Sequence, residues 1–242
     1  IFRESCRIDF AQLLEFNKDV LYKLPLEEHV IPGTIRTHDV TVGRYQGAPY
    51  KDCSYLLRKM CDWLNDSDSF KAPQGQEIAF AIIKAIIAHL YIAWIHPFSD
   101  GNGRTARLVE FQILVEAGVP LPAAHLLSDH YNRTRSEYYR QLDKSSKERD
   151  GVLHFLFYAV QGLVDSLKEQ LDLVRYQQLE VTWRNYVHET LKGESAQISR
   201  MRHLVLDIAE QRYPVPLAKL STISGTVAKL YANVTNRTLA RD

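Results

Sequence analysis

Cysteine is scarce in this chain. Its three cysteines, Cys6, Cys53 and Cys61, are odd in number and form no CxxC pair. That argues against a disulfide framework, and reduced thiols in a cytosol are the simplest account. No cluster of histidine and cysteine has zinc-ligand spacing. Neither sign of charge is in excess: 30 Lys and Arg against 29 Asp and Glu leave +1, so no global signal points to nucleic acid or a membrane surface. A long uninterrupted apolar run is missing too. The most apolar stretch, Ile78 to Ile95, is broken by Lys84 and His89 and reads as a buried core helix, not a membrane span. No signal-peptide pattern is visible, although the sequence opens on Ile1, not Met, which leaves targeting open. What remains is ordinary for a soluble globular protein: 45% hydrophobic, 24% charged, and 242 residues, room for one sizeable domain and a small one.

The chemistry is concentrated in His96 to Arg107, HPFSDGNGRTAR. Pro97 cannot continue a helix and biases His96 away from helical geometry, so the imidazole is expected at the end of the incoming helix, at a mouth. Gly101 and Gly103 allow positive φ and leave backbone amides uncovered; such amides leading into a helix N-terminus form a concave anion site. Arg104 and Arg107 are three apart, share a helix face, and suit bidentate phosphate binding. Asp100 beside the glycines could hold Mg²⁺ against phosphates. Asn102 can donate an amide hydrogen to a phosphate oxygen. Within twelve residues the chain thus offers a base, a metal ligand, an anion cradle and two cationic clamps.

This stretch resembles the signature of the Fic family, HPFx[D/E]GNGRxxR, with every specified position filled. The resemblance implies a mostly α-helical bundle with a small β-hairpin flap. It also implies transfer of AMP from ATP to a Ser, Thr or Tyr hydroxyl of a target protein, with release of pyrophosphate. His96 would be the general base, Asp100 the Mg²⁺ ligand, and Asn102 with the backbone around Gly101 and Gly103 would hold the α-phosphate. Arg104 and Arg107 would grip the β- and γ-phosphates, and Phe98 would anchor the loop in the core. Phosphoryl-type transfer asks mainly for positioning and charge stabilisation, which this motif supplies.

Elsewhere, Phe10 to Leu24 has near-helical apolar spacing. In residues 33–50 Val40 and Val42 alternate with polar neighbours, predicting a short strand or hairpin; by resemblance this is the flap, which would align an extended target by strand addition. His38 in this segment is expected to be exposed. Helices are expected over Tyr55–Leu64, Glu77–His96 and Thr105–Ala117, the last ending at Gly118 and Pro120. His89 reads as a core histidine. Residues 131–143 carry paired tyrosines; by resemblance Tyr138 and Tyr139 would line the adenine pocket, with Asp143 and Ser146 near the nucleoside. Lys144 to Gly151 reads as a charged loop and Val152 to Tyr176 as a closing helix.

From about residue 191 the composition changes, giving an expected division into 1–190 and 191–242. Helices over Arg200–Gln211 and Pro216–Leu220, a turn at Ile223–Thr226, and Thr235 as N-cap of a last helix resemble a winged helix-turn-helix, partial because the chain ends within that helix. Asn236, Arg237, Thr238 and Arg241 would face DNA; the alternative is a module for packing or homodimerisation. The expected reading is a cytoplasmic protein adenylyltransferase using ATP and Mg²⁺, with delivery as a secreted effector held open and no membrane partner. The rivals are transfer of UMP, phosphate or phosphocholine, removal of AMP, or a DNA-binding regulator with a vestigial site. No strong autoinhibition is expected. The nearest match to an inhibitory [S/T]xxxE[G/N] helix is Ser5 to Phe10, where Asp9 and Phe10 replace the Glu and Gly/Asn. A true inhibitory helix would lie upstream of Ile1 or on another chain.

Overall fold

The computed structural model describes residues 7–43, 45–211 and 213–242. Asp9 opens the first helix, α1 (Phe10–Val20), by accepting the Gln12 amide at 2.7 Å. Leu13 and Phe16 of α1 enter the core, and so does Asn17, a polar residue on the apolar face. An irregular segment then leads to an antiparallel hairpin of two-residue strands, β1 (Thr41–Val42) and β2 (Tyr45–Gln46), with Thr41 opposite Gln46 and Val42 opposite Tyr45.

Helix α2 (Tyr50–Leu64) starts five residues before the sequence suggests. Pro49 precedes it, and the Asp39 carboxylate accepts the Tyr50 amide at 2.8 Å. A side chain eleven residues away thus serves as a cap that no local pattern reveals. Helix α3 (Glu77–Ile95) follows a loop over residues 65–76 and is the central element. By length and composition it could cross a bilayer, yet Ala85, Ile86, Leu90 and Ile92 are fully buried in the protein core. It packs chiefly against α4 (Asn102–Glu116), which also packs on α1.

Short helices α5 (Leu121–Ala124) and α6 (Leu126–Arg133) lead to α7 (Arg135–Lys147). The charged loop expected over residues 144–151 is largely absent, because α7 continues to Lys147, where the Asp143–Lys147 ion pair and inward-facing Ser145 extend the last turn. Helix α8 (Gly151–Thr190) is likewise longer than the apolar run that announces it.

The chain divides into two compact units, one extending to Lys168 and the other Glu169–Asp242. The second contains the end of α8, then α9 (Ala196–Ala209), α10 (Leu217–Leu220), α11 (Gly225–Tyr231) and α12 (Asn236–Arg241). Leu204, Val227, Tyr231 and Leu239 form its small core. Thr235 caps α12 by accepting the Thr238 amide. Arg200 pairs with Asp242 at 2.9 Å. The strands among the described residues are those of the hairpin alone, so no wing is seen beside these helices.

One buried guanidinium ties the hairpin segment to α3. Arg36 Nε donates to the His96 carbonyl at 2.7 Å and Nη1 to the His38 carbonyl at 2.6 Å, while Nη2 donates to Ala48 and, at 3.4 Å, to Ile95. Arg36→Met keeps the apolar stem but strands these carbonyls. A loss of about 3 kcal/mol is expected, read as a fall in Tm of roughly 10 °C in thermal denaturation followed by circular dichroism.

Candidate active site

The site forms where one helix ends and the next begins. The His96 amide still donates to Ile92 at 2.9 Å, but the residue itself takes φ 50°, ψ 56°, in the left-handed region. Pro97 forbids the helical alternative. For a residue with a Cβ that conformation costs about 1–2 kcal/mol, and such strain persists only where neighbours enforce it. Arg36 is the enforcer here: its side chain holds the His96 carbonyl, and its own amide donates to the Pro97 carbonyl at 3.0 Å. Gly47 lies flat against the back of His96; a Cβ there would stand 3.1 Å from the His96 Cβ.

The imidazole Nδ1 lies 3.4 Å from the Ala93 carbonyl. A carbonyl only accepts, so Nδ1 carries the hydrogen and Nε2 keeps its lone pair. Burial pushes the His96 pKa below its ordinary 6.5; the Ala93 carbonyl opposes this, the Arg36 charge adds a smaller downward push, and Asp100 opposes more weakly still. The ring is therefore mostly neutral at pH 7, as a base must be.

The following loop is braced from both sides. Phe98 is buried and anchors it. The Asn102 side-chain oxygen accepts the Phe98 amide at 2.9 Å, and its nitrogen donates to the Phe98 carbonyl at 2.7 Å. Only one amide hydrogen of Asn102 is left for any ligand. Asn17 reaches in from α1, donating to the Asp100 carbonyl at 2.9 Å and accepting the Gly33 amide at 2.9 Å. Gly101 has φ 81°, and a Cβ there would meet Asn17 Nδ2 at 2.9 Å, so both conformation and space demand glycine. Gly103 differs from expectation: it lies in the first turn of α4 without positive φ, and a Cβ there would stand 3.5 Å from Arg107 Nη1, an ordinary contact. No side chain caps α4, and among the described residues no acceptor reaches the amides of Asn102, Gly103 and Arg104. They form an open anion cradle at the positive end of the helix dipole.

Two arginines flank this cradle. Arg104 bonds Asp100 Oδ2 at 3.0 Å and the Val20 carbonyl at 3.3 Å. The Asp100 carboxylate is about half exposed and also accepts the Gly101 amide at 2.5 Å. Among the described residues Arg107 has no carboxylate partner, although it lines the cavity. That cavity encloses about 810 Å³, within the range of small-molecule sites. It gathers His96, Asp100, Gly101, Asn102, Gly103, Arg104, Arg107, Tyr138 and Tyr139 into one space.

The far wall is aromatic. Tyr139 is half exposed, whereas Tyr138 is buried, with its hydroxyl 2.8 Å from His89 Nε2. His89 is a core histidine whose Nδ1 lies 3.4 Å from Glu110, and Glu110 accepts the Tyr131 hydroxyl at 2.9 Å. Asp143 lines the cavity, but Ser146 is exposed and bonds the Asp143 carbonyl outside it. Its neighbour Ser145 faces inward instead and accepts the Trp94 indole N–H at 3.1 Å, one step around the helix from the expected position. Asn236, Arg237 and Arg241 are exposed on α12 and Thr238 is half-buried, all in the second unit.

Sequence reasoning overlooked Asn17, Arg36, Tyr45 and Trp94. Asn17 left a signal, a polar residue where helical spacing calls for an apolar one. Tyr45 and Trp94 left none, because their meeting is tertiary: the Tyr45 hydroxyl donates to the Trp94 carbonyl at 2.6 Å.

Of the near-inhibitory stretch, Ser5 lies outside the described residues, while Asp9 is an N-cap. Asp9→Ala should therefore leave turnover at the site within about two-fold, while removal of the cap costs about 1 kcal/mol. Initial rates and a thermal melt check both; a rise of ten-fold or more would show that Asp9 restrains Arg107.

Comparison with known proteins agrees with this geometry. A match to the Fic/DOC family spans residues 7–114. The protein adenylyltransferase fic-1 of Caenorhabditis elegans is 34% identical over 143 residues, 58% of this chain and 24% of that protein. The protein adenylyltransferase Fic of Nematostella vectensis is 33% identical over 147 residues, 60% of this chain and 30% of that protein. The chain thus spans about a quarter to a third of the length of these curated relatives. Among solved structures, a Fic domain containing signaling protein from Bacteroides thetaiotaomicron aligns with a TM-score of 0.51 at 20% identity, covering 68% of this chain and 62% of that one. A Fic family protein from Desulfovibrio desulfuricans aligns with a TM-score of 0.50 at 19% identity, covering 96% and 59%. These two likenesses are of fold.

Proposed function

We propose that this chain is a protein adenylyltransferase that moves AMP from ATP to a hydroxyl side chain of a target protein. The observation that carries the reading is one cavity in which Nε2 of a mostly neutral His96 shares the space with an uncapped helix N-terminus and with Arg107, which has no carboxylate partner among the described residues. The names of the relatives support the same chemistry.

In the proposed step the target hydroxyl oxygen attacks the α-phosphorus while His96 Nε2 takes its proton. The bond from the α-phosphorus to the bridging oxygen breaks, and pyrophosphate leaves with that electron pair. The product is a phosphodiester joining AMP to the target oxygen. The amides of Asn102, Gly103 and Arg104 hold the charge that develops on the phosphate oxygens. Arg104 and Arg107 hold the leaving group by forked, charge-assisted bonds. Tyr139, with its exposed ring, offers a stacking face for the base, and Tyr138 supports the wall behind it.

The donor set fits Mg²⁺: one half-exposed carboxylate, Asp100, beside an anion cradle, the kind of site in which Mg²⁺ keeps several waters and takes its remaining ligands from phosphate. The ion would supply charge neutralisation on the phosphates. The Asp100–Arg104 pair is partly exposed and so worth about 0–1 kcal/mol. It exchanges readily, freeing the carboxylate for the metal and the guanidinium for phosphate. The hairpin stands at the mouth, where Val42 and Tyr45 line the cavity, and is suited to align an extended target segment. Toward DNA, α12 offers a six-residue helix with two exposed arginines, too little to carry a binding role.

The test uses ATP labelled at the α-phosphate or, separately, the γ-phosphate, incubated with the protein and a cell lysate. Label in excess of that in the same lysate with His96→Ala should enter protein from the α position only. His96→Ala should abolish transfer, by about 10³-fold or more given the usual contribution of a positioned base, while ATP still binds with an affinity within a few-fold. Incorporation from the γ position would instead indicate phosphate transfer and reject the reading.

A further inference from the structure

A second cavity of about 520 Å³ opens beside the active site, between the hairpin, α2 and α3. Leu56, Met60 and Trp63 of α2 face Tyr91 and Trp94 of α3 across it, with Tyr45 of β2 at its edge. The rings form a ladder: Trp63 lies 5.4 Å from Tyr91, and Tyr91 lies 5.4 Å from Trp94. Trp63 and Tyr91 are each 36% exposed, so the ladder presents open aromatic faces instead of a closed core. Among the lining residues only Lys59 is charged, and it is exposed.

This groove adjoins the catalytic cavity. Tyr45 and Trp94 line both, and the hydrogen bond between them builds the partition. A polypeptide that lays its acceptor hydroxyl at His96 and runs along the hairpin crosses that partition. In an extended chain, residues two apart point the same way and are roughly 7 Å apart, so a neighbour of the acceptor is carried toward the groove. The aromatic walls suit an apolar side chain, and the exposed Lys59 at the rim can meet a carboxylate.

We propose that this groove is a target-recognition subsite that takes one large apolar side chain, leucine, methionine or aromatic, from the same extended segment that presents the hydroxyl. The inference rests on the AMP-transfer reading above and adds a determinant of which proteins are modified. Burying such a side chain supplies discrimination without touching the reacting atoms.

The experiment uses the full chain, ATP labelled at the α-phosphate, and Gly-Ser peptides with one Thr or Tyr acceptor. Leu or Phe is moved through the positions on either side of the acceptor. At one register, labelling should exceed that of the unsubstituted peptide by about ten-fold, equivalent to about 1.4 kcal/mol. Trp63→Ala and, separately, Tyr91→Ser should erase that preference, while release of AMP from ATP without peptide stays within about two-fold. A thermal melt of each variant establishes that it is folded. Equal labelling of all peptides, or a preference that survives both substitutions, overturns the subsite while leaving AMP transfer standing. Absence of AMP transfer to any peptide and to water would reject the transfer reading itself, and the subsite with it. A groove occupied by a second copy of the chain would show as peptide labelling that falls with rising protein concentration, and would also overturn the proposal.

Discussion

The guanidinium of Arg36 sits buried at the point where α3 ends, and much of the site depends on it. A helix terminus leaves carbonyls without partners, and burying them unpaired is costly. Arg36 meets the carbonyls of Ile95 and His96 at that terminus and those of His38 and Ala48 in the hairpin segment. One residue thereby satisfies the end of the helix, fixes the left-handed turn at His96 and seats the hairpin over the cavity. Its positive charge also favours the neutral imidazole.

A second polar brace works on the other side. Asn17 joins the Gly33 amide, the Asp100 carbonyl and, at 3.3 Å, the Thr105 hydroxyl, linking α1 to the loop and to α4. Together with the Asn102–Phe98 pair it fixes the loop before any ligand arrives. The amides at the start of α4 therefore need little rearrangement to meet an anion, which is the condition under which fixed dipoles contribute most to catalysis. What remains adjustable is the Asp100–Arg104 pair, exposed enough to exchange partners.

Much of the fold was legible in the sequence because it rests on local patterns. The apolar run of α3, the Pro97 stop, Gly118 after α4 and the Thr235 cap each announce an element boundary within a few residues. The twelve-residue motif was legible because its chemistry is contiguous. The limits were tertiary. Helix α2 starts early because Asp39, distant in sequence, caps it. Gly103 proved helical because the turn needs only one positive φ, at Gly101. Ser145, not Ser146, turns inward because α7 runs on without a break and sets the phase of its faces. Arg36 and Asn17 act through backbone atoms far away in sequence, and nothing in residue type alone announces such partners.

The proposed transfer requires His96 to be a neutral base with its hydrogen on Nδ1. Proton–nitrogen correlation spectra of the free protein labelled with ¹⁵N-histidine, assigned by comparison with His96→Asn and followed through a pH titration, test this directly. The account predicts that His96 carries its hydrogen on Nδ1 at neutral pH and titrates with a midpoint below 6.5, its ordinary value. A hydrogen on Nε2, or a midpoint at or above 6.5, would contradict it.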